Sequence, residues 1–249
     1  MTRDWDATTY DALPLPHLRW GRRTLDRLAP RGDERVLDAG CGTGRDTEGL
    51  LDLLPHGRVV AVDGSVRMLD RLRERLAGRL DRVEVVHADL TGPLPFEGEV
   101  DAVFSVAAFH WIEDHAALFA SLAARMRPGA RLVAECGGRG NIDAVNAAVA
   151  DVLGTRSDTW EFAGVDDTRQ RLKAAGFTDI DVTLRPDPAV FEPGAQLEAF
   201  LATVILGPYL DDMAEDEHAP FVTAVAARLA EPVADYVRLE IGAVRGPGS

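Results

Sequence analysis

The segment Val36-Leu37-Asp38-Ala39-Gly40-Cys41-Gly42-Thr43-Gly44 reads as a short apolar strand that ends in an acid and runs into three alternating glycines. Glycine tolerates positive φ and lets a ligand or another backbone approach closely, whereas an L side chain in the left-handed region costs about 1 to 2 kcal/mol. A turn of this kind between strand and helix is where an α/β sheet receives a nucleotide-like ligand. Spacing then separates the ligand classes. The pyrophosphate-binding pattern G-x-G-x-x-G/A needs a small sixth residue, but that position is Arg45 counted from Gly40 and Thr47 counted from Gly42. Without it the helix start cannot close on the strand and aim at a pyrophosphate, so the loop suits a nucleoside cofactor that lacks one. Thr43 and Asp46 have the spacing of a capping box, which starts a helix directly after the glycines.

Outward from the loop, apolar runs at 35–39, 59–62, 83–87, 102–106 and 131–135 alternate with segments of helical period. This rhythm predicts βαβ units and a parallel sheet, and β-branched runs without polar alternation fit strands buried on both faces. Leu69, Leu72, Leu76 and Leu80 make one core-facing helical stripe, and Leu118, Phe119, Leu122 and Met126 make another that stops at Arg127-Pro128-Gly129. Beyond residue 136 the spacing predicts helices over 141–153 and 166–175, a sixth strand over 178–184 and a last strand over 236–244. Between those strands lie two amphipathic helices, one around Leu197, Phe200, Leu201, Val204 and Ile205, the other around Phe221, Val222, Val225 and Leu229. The expected fold is α/β, a seven-stranded and mostly parallel sheet with helices on both faces and a helical lid insertion. All 249 residues read as one domain, with lid helices in 1–30, a cofactor-binding core in 31–136, and substrate-side helices with the last two strands in 137–249.

Two acids follow the loop at telling places. Asp63 ends the second strand about 20 residues on, where a carboxylate can accept from both hydroxyls of a ribose. Asp89 ends the third and can accept from an adenine amine, with Leu90 supplying backbone, while Met68, after Asp63-Gly64-Ser65, can lie against the base. Taken singly, such acids are turn formers or helix caps. Taken together, Asp38, Gly40, Asp63, Asp89 and His110 all fall at the carboxyl ends of strands, the edge where open α/β sheets bind ligands.

Composition narrows the partners. Lys and Arg total 27 against 41 Asp and Glu, a formal charge of −14, and that field repels a polyanion, so nucleic acid is not an expected partner. No apolar run approaches the roughly 18 residues of a membrane span, and residues 1–11 lack the blocks of a signal peptide, which makes the expected location cytoplasmic and away from membranes. Cys41 and Cys136 read as packed thiols, and His110 to His115 fits neither zinc helix pattern, so no metal is expected. Lys173 is the only lysine, which leaves Arg as the cationic anchor. The oligomeric state has no sequence signal.

The Asp-x-Gly-x-Gly-x-Gly pattern from Asp38 to Gly44, the acidic strand end at Asp63 and the triplet Ala88-Asp89-Leu90 resemble class I S-adenosylmethionine-dependent methyltransferases over residues 30–136. The resemblance implies a Rossmann-like sheet, transfer of a methyl group to a small molecule, and S-adenosylmethionine held by Asp38, Gly40, Gly42, Gly44, Asp63, Gly64, Met68, Asp89, Leu90 and Ser105. Gly40 would meet the methionine part, Asp38 its amino group, Asp63 the ribose and Asp89 the adenine. More narrowly, Asp4-Trp5-Asp6 through Tyr10, residues 104–115 and residues 200–210 are similar to the trans-aconitate 2-methyltransferase family. Val106 and His110 stand where that family commonly carries Asn and Gln.

On the acceptor side, a carboxylate is already ionised at neutral pH and needs no general base, whereas a phenol, amine or carbon acid can need one. His110, in the loop after the fourth strand, is the candidate base, with Trp111 beside it as a pocket wall. His17, Arg19 and Trp20 near the start, and Arg139 after the fifth strand, are candidate substrate contacts. Three readings follow: a methyltransferase for a carboxylate or another small-molecule oxygen, nitrogen or carbon; a nicotinamide-dependent oxidoreductase; and a non-catalytic S-adenosylmethionine-binding protein.

Overall fold

A computed structural model describes residues 17–155 and 160–247. Helix α1 (His17–Leu28) precedes β1 (Arg35–Ala39), α2 (Arg45–Leu53), β2 (Arg58–Asp63), α3 (Val66–Arg75), β3 (Val83–His87), β4 (Val100–Val106), α4 (His115–Ala123) and β5 (Met126–Gly137). Then come α5 (Asp143–Leu153), α6 (Val165–Ala174), β6 (Phe177–Pro186), β7 (Ala189–Val190) and α7 (Ala195–Phe200), which runs into a π-helical turn, Leu201–Ile205. Helices α8 (Gly207–Leu210) and α9 (Glu215–Ala226), then β8 (Val233–Ala234) and β9 (Val237–Arg245), complete the order.

The main sheet has seven strands in the order β3-β2-β1-β4-β5-β9-β6, parallel through β5, with β9 antiparallel to both of its neighbours. Alternate residues of each strand feed separate cores. Leu37, Val60, Val103 and Leu132 pack with Leu118 and Phe119 of α4, while Val36, Val59, Ala61 and Phe104 pack with Leu50 of α2 and Leu69 of α3. Helices on both faces leave the inner strands β1, β2 and β4 almost no position for water, which is why they read as nearly unbroken apolar runs. The seven-stranded, mostly parallel architecture matches the expectation.

A third core forms a helical cap. Trp20 of α1 joins Val145 of α5, Leu197 and Phe200 of α7, and Phe221 and Val225 of α9. The small antiparallel β7–β8 pair, which no sequence signal announced, contributes Ala189 and Ala234 to the same cluster.

Helix α1 is bolted to the sheet. Arg23 donates to both carboxylate oxygens of Glu135 at 2.5 and 3.1 Å, and Arg238 of β9 donates to the same carboxylate at 3.2 Å. The Arg238 guanidinium also lies 3.7 Å from the centre of the Trp20 ring. Trp20 is itself fully buried and donates to Asp187 at 2.6 Å, so its expected contact with substrate is corrected to a core position. An indole able to reach an acceptor inside the cap packs there instead.

Two other local expectations are corrected. Helix α2 has Gly44 as its N-cap, in the left-handed region with no side-chain cap, so Thr43 and Asp46 form no capping box. The α4 stripe ends at Ala123, and Met126-Arg127-Pro128-Gly129 begins β5 rather than ending a helix. A register break between Val100 and Ala102 admits that irregular start, and Pro is tolerated at such a strand margin.

Candidate active site

The glycine loop hangs from the end of β2: the amides of Gly40 and Cys41 both donate to the Val62 carbonyl, at 2.8 and 3.0 Å. Gly40, Gly42 and Gly44 have φ of 80, 51 and 79°. Their surroundings differ. A Cβ on Gly40 would meet the Ala108 Cβ at 2.3 Å, and one on Gly44 would meet Leu72 at 2.7 Å, whereas one on Gly42 would meet nothing within 4 Å. Gly40 therefore lets the loops after β1 and β4 touch, Gly44 seats α2 on α3, and Gly42 leaves an open cradle.

This difference predicts different outcomes for two variants. Gly40→Ala combines left-handed strain with overpacking and should cost about 2 to 5 kcal/mol, which lowers Tm by several degrees in a thermal melt. Gly42→Ala should cost only the strain, about 1 to 2 kcal/mol, yet still weaken a ligand seated in the cradle. Equal destabilisation by the two would contradict this division of roles.

Asp63 is tied to the same loop. Its Oδ2 accepts from the Gly42 amide at 2.9 Å and its Oδ1 from the Ser65 amide at 2.8 Å. Burial pushes its carboxyl above the usual range, against the pull of the bonds from Ser65 and Gly42. A carboxylate offers about four acceptor sites, so even with the Gly64 amide also pulling on it Asp63 keeps capacity for a further donor such as a hydroxyl. Gly64 accepts from His87 Nε2 at 3.0 Å, and Ser65 caps α3 through the amide of Met68, whose side chain is buried.

Asp38 sits deeper. Its Oδ2 accepts from Thr47 Oγ1 of α2 at 2.6 Å, and burial pushes its pKa up to about 8 despite that bond. A carboxyl raised on folding stabilises the folded chain fully below its ordinary value of 3.8 and loses that contribution as pH climbs through about 8. A cationic ligand group placed beside it would draw the proton off. Asp89, exposed at the end of β3, accepts from the Thr91 amide and hydroxyl at 2.9 and 2.7 Å, both on Oδ1, and these bonds hold its carboxyl below the usual range. Leu90 next to it is buried in the core, so the backbone is what it can offer a ligand. Ser105 is buried too, and its hydroxyl donates to the Ala39 carbonyl at 2.6 Å, which ties β4 to β1 behind the loop.

After β4 the chain turns sharply through Ala107, a non-glycine residue at φ 57°, into the short helix Phe109–Trp111. Such strain at a strand end is characteristic of sites where a side chain has to be presented. The turn brings the Gly137 amide to His110 Nδ1 at 3.2 Å. An imidazole whose Nδ1 accepts a peptide N–H carries its proton on Nε2. His115, further on, is buried and donates to the Phe109 carbonyl at 2.9 Å; burial lowers its pKa. Among the described residues no three His, Cys, Asp or Glu side chains gather as metal ligands. Both cysteines are buried with raised thiol pKa values, Cys136 at about 12.

The remaining candidates are scattered. Arg139 is largely exposed and paired with Asp167 at 2.7 Å. Arg19 is paired with Asp187 at 3.0 Å. The side chain of His17, and the segment from Asp4 to Tyr10, lie outside the described residues. Thr47, which holds Asp38, and Glu135 with its arginines were not singled out from the sequence. A lone acid inside the apolar run Leu132 to Cys136 was the available signal for Glu135.

The glycine cradle, the acid bound to it and the third acid at the next strand end suit a nucleoside whose amino-acid arm lies against Gly42. Known proteins resemble the chain over this region. A family model described as a methyltransferase domain matches residues 36–129. The chain is 28% identical over 231 residues to trans-aconitate 2-methyltransferase of Azoarcus sp. (strain BH72), covering 90% of this chain and 88% of that protein. It is 33% identical over 132 residues to the enzyme of that name from Acidovorax sp. (strain JS42), where the match spans 53% of this chain and about half, 49%, of the relative. In fold it is similar to phosphoethanolamine N-methyltransferase 2 of Haemonchus contortus in complex with S-adenosyl-L-methionine, with TM-score 0.64, 19% identity, and coverage of 97% of this chain and 57% of that one. Among the described residues no helix is long and apolar enough to cross a membrane. With its glycine loop, its sheet order and these relatives agreeing, residues 36–129 are a methyltransferase domain, set in a fold shared with S-adenosylmethionine-binding methyltransferases.

Proposed function

We propose that this protein transfers the methyl group of S-adenosylmethionine to a carboxylate oxygen of a small organic acid. The observation that carries the carboxylate is the bond from the Gly137 amide to His110 Nδ1. It leaves His110 as an Nε2–H donor, able to orient an anionic oxygen and ill suited to remove a proton. The relatives named for trans-aconitate methylation favour the same acceptor chemistry.

The bound cofactor supplies a methyl carbon on a sulfonium, which a carboxylate oxygen takes by in-line displacement while the sulfur keeps the electron pair of the broken bond. The chain's part is to align and to exclude water, and alignment alone is worth about 7 to 11 kcal/mol. In this reading Asp63 holds the ribose, Asp89 the adenine with the Leu90 backbone and Met68, and Asp38 the ammonium through a carboxylate freed of its proton. Gly40, Gly42, Gly44 and Gly64 leave room for that arm, Ser105 steadies the loop from behind, and Trp111 bounds the acceptor.

The test separates donor from base. His110→Gln keeps a planar N–H donor and should retain kcat/KM within about 10-fold, while His110→Ala should lose about 10 to 100-fold. The wild-type pH profile should show no histidine ionisation near about 6.5 that vanishes in His110→Gln. Equal loss of about 100-fold or more in both variants, with such an ionisation, would instead establish a base and an acceptor that needs one.

A further inference from the structure

The loop that leaves β5 turns back on the strand it comes from. Gly137 ends β5 at the carboxyl edge of the sheet, where open α/β folds receive their ligands. A Cβ there would meet Asn141 Nδ2 at 2.9 Å and the Phe162 ring at 2.7 Å, so a glycine is what lets the amide and the ring both close on the strand end. Phe162 is only partly buried, and its ring lies 6.0 Å from that of His110. The Asn141 amide therefore reaches the same end of the sheet as the loop after β4.

The direction of that amide is fixed from behind. Asn141 Oδ1 accepts from the Val237 amide of β9 at 3.0 Å. A peptide N–H has to be met by the carbonyl oxygen of the side chain, which settles its flip and turns the NH2 group toward Gly137. Neighbouring bonds pin the loop to the same strand junction: Gly138 donates to the Val237 carbonyl and Ile142 to the Asp235 carbonyl, both at 3.0 Å. Ile142 is held at φ 52°, a left-handed conformation that is costly for a β-branched side chain. Such strain persists only where the surroundings over-determine the backbone, and here they also fix the residue before it.

Asn141 is 3% exposed, yet its Nδ2 donates to no described residue. Buried donors in folded proteins are almost always paired, and one left open at a ligand edge is completed by the acceptor atom of a ligand. The arginines close by are already engaged, Arg139 with Asp167 at 2.7 Å and Arg171 with Glu161 at 3.1 Å. A neutral donor can still fix the direction of an anionic oxygen, since a hydrogen bond to a charged acceptor is among the strong ones.

We infer that Asn141 orients the methyl acceptor, its Nδ2–H donating to one oxygen of the acceptor's carboxylate beside Gly137 and Phe162. This rests on the carboxylate reading above and adds to it the residue that selects an acid over its amide.

Binding can be measured without turnover. The full chain, saturated with S-adenosylhomocysteine, is titrated by calorimetry with trans-aconitate, malonate and benzoate, each beside its uncharged amide. The parent should bind at least one of these acids, and bind it more tightly than its amide. Asn141→Asp keeps an oxygen for the Val237 amide but faces the ligand with a second carboxylate. The acid should then bind at least about 100-fold more weakly, and its amide no more weakly than before. Asn141→Ser, whose hydroxyl stops short of Gly137, should lose about 10-fold, and it takes the place of the aspartate variant if circular dichroism shows that one unfolded. Affinity for S-adenosylhomocysteine should stay unchanged in both. Undiminished acid binding in the folded variant overturns the inference, as does loss of S-adenosylhomocysteine in step with the acid, or a parent that binds none of the acids or prefers the amides. Mass spectrometry of the methyl ester keeps the two layers apart. Acid held through Asn141 with no ester formed refutes carboxylate transfer alone, whereas ester formed equally fast by the parent and Asn141→Asp refutes the role of Asn141 alone.

Discussion

Asp63→Ala is expected to weaken S-adenosylmethionine binding by at least about 100-fold while the chain stays folded. Two hydrogen bonds to a charged acceptor are worth about 1.5 to 3 kcal/mol each, and about 1.4 kcal/mol is tenfold in affinity. The same carboxylate also fixes the cradle, since Gly42 and Ser65 donate to its two oxygens at 2.9 and 2.8 Å. Removing it takes away the brace on the loop and, in the proposed reading, the ribose acceptor. Asp63→Asn should fare little better, because its amide nitrogen would turn a donor toward one of those two amides. Calorimetric titration reads the affinity and circular dichroism the fold. An Asp63→Ala protein that binds normally would remove ribose recognition from this residue.

The largest expected loss of stability is at Glu135→Gln. Glu135 is fully buried and is the counter-charge of Arg238, which is 1% exposed. Breaking a buried pair from one side costs about 3 to 5 kcal/mol, because the remaining charge is stranded away from water. In a chain of this size that lowers Tm by about 6 to 20 °C. The exposed pair Arg71–Glu74 gives the contrast, since its removal should cost no more than about 1 kcal/mol. Replacing Glu135 and Arg238 together by Leu and Met should recover much of the loss, since two apolar side chains strand no charge. A Glu135→Gln protein as stable as the parent would mean that water or another donor set already serves Arg238. The network matters to the fold because it fastens α1 across β5 and β9, where Trp20 joins the third core.

Much of the sheet was legible because doubly covered strands must be apolar at every position, and 59–62 and 102–106 carry that mark plainly. The glycine loop was legible because its spacing excludes a pyrophosphate. Residues whose meaning lies in a distant partner were harder. Arg19 and Arg139 look like anchors for an anion until Asp187 and Asp167 stand beside them. Trp20 looks like a lid residue until Tyr236 and Arg238 enclose it. No local pattern links Glu135 to Arg238, which meet only because β9 inserts antiparallel between β5 and β6. His110 was found by its address, but its proton position needed the Gly137 amide, which belongs to another strand. The Thr43 and Asp46 spacing misled because Gly44, already left-handed, begins the helix by itself.

The claim on which the rest depends is that the bare cradle at Gly42 and the carboxylate of Asp63 receive a sulfonium nucleoside. Parallel calorimetric titrations of the wild-type chain with S-adenosylmethionine and with NAD test it most directly. The predicted result is one S-adenosylmethionine per chain, a matching rise in Tm and no heat from NAD. Saturable NAD binding with no S-adenosylmethionine binding would contradict it.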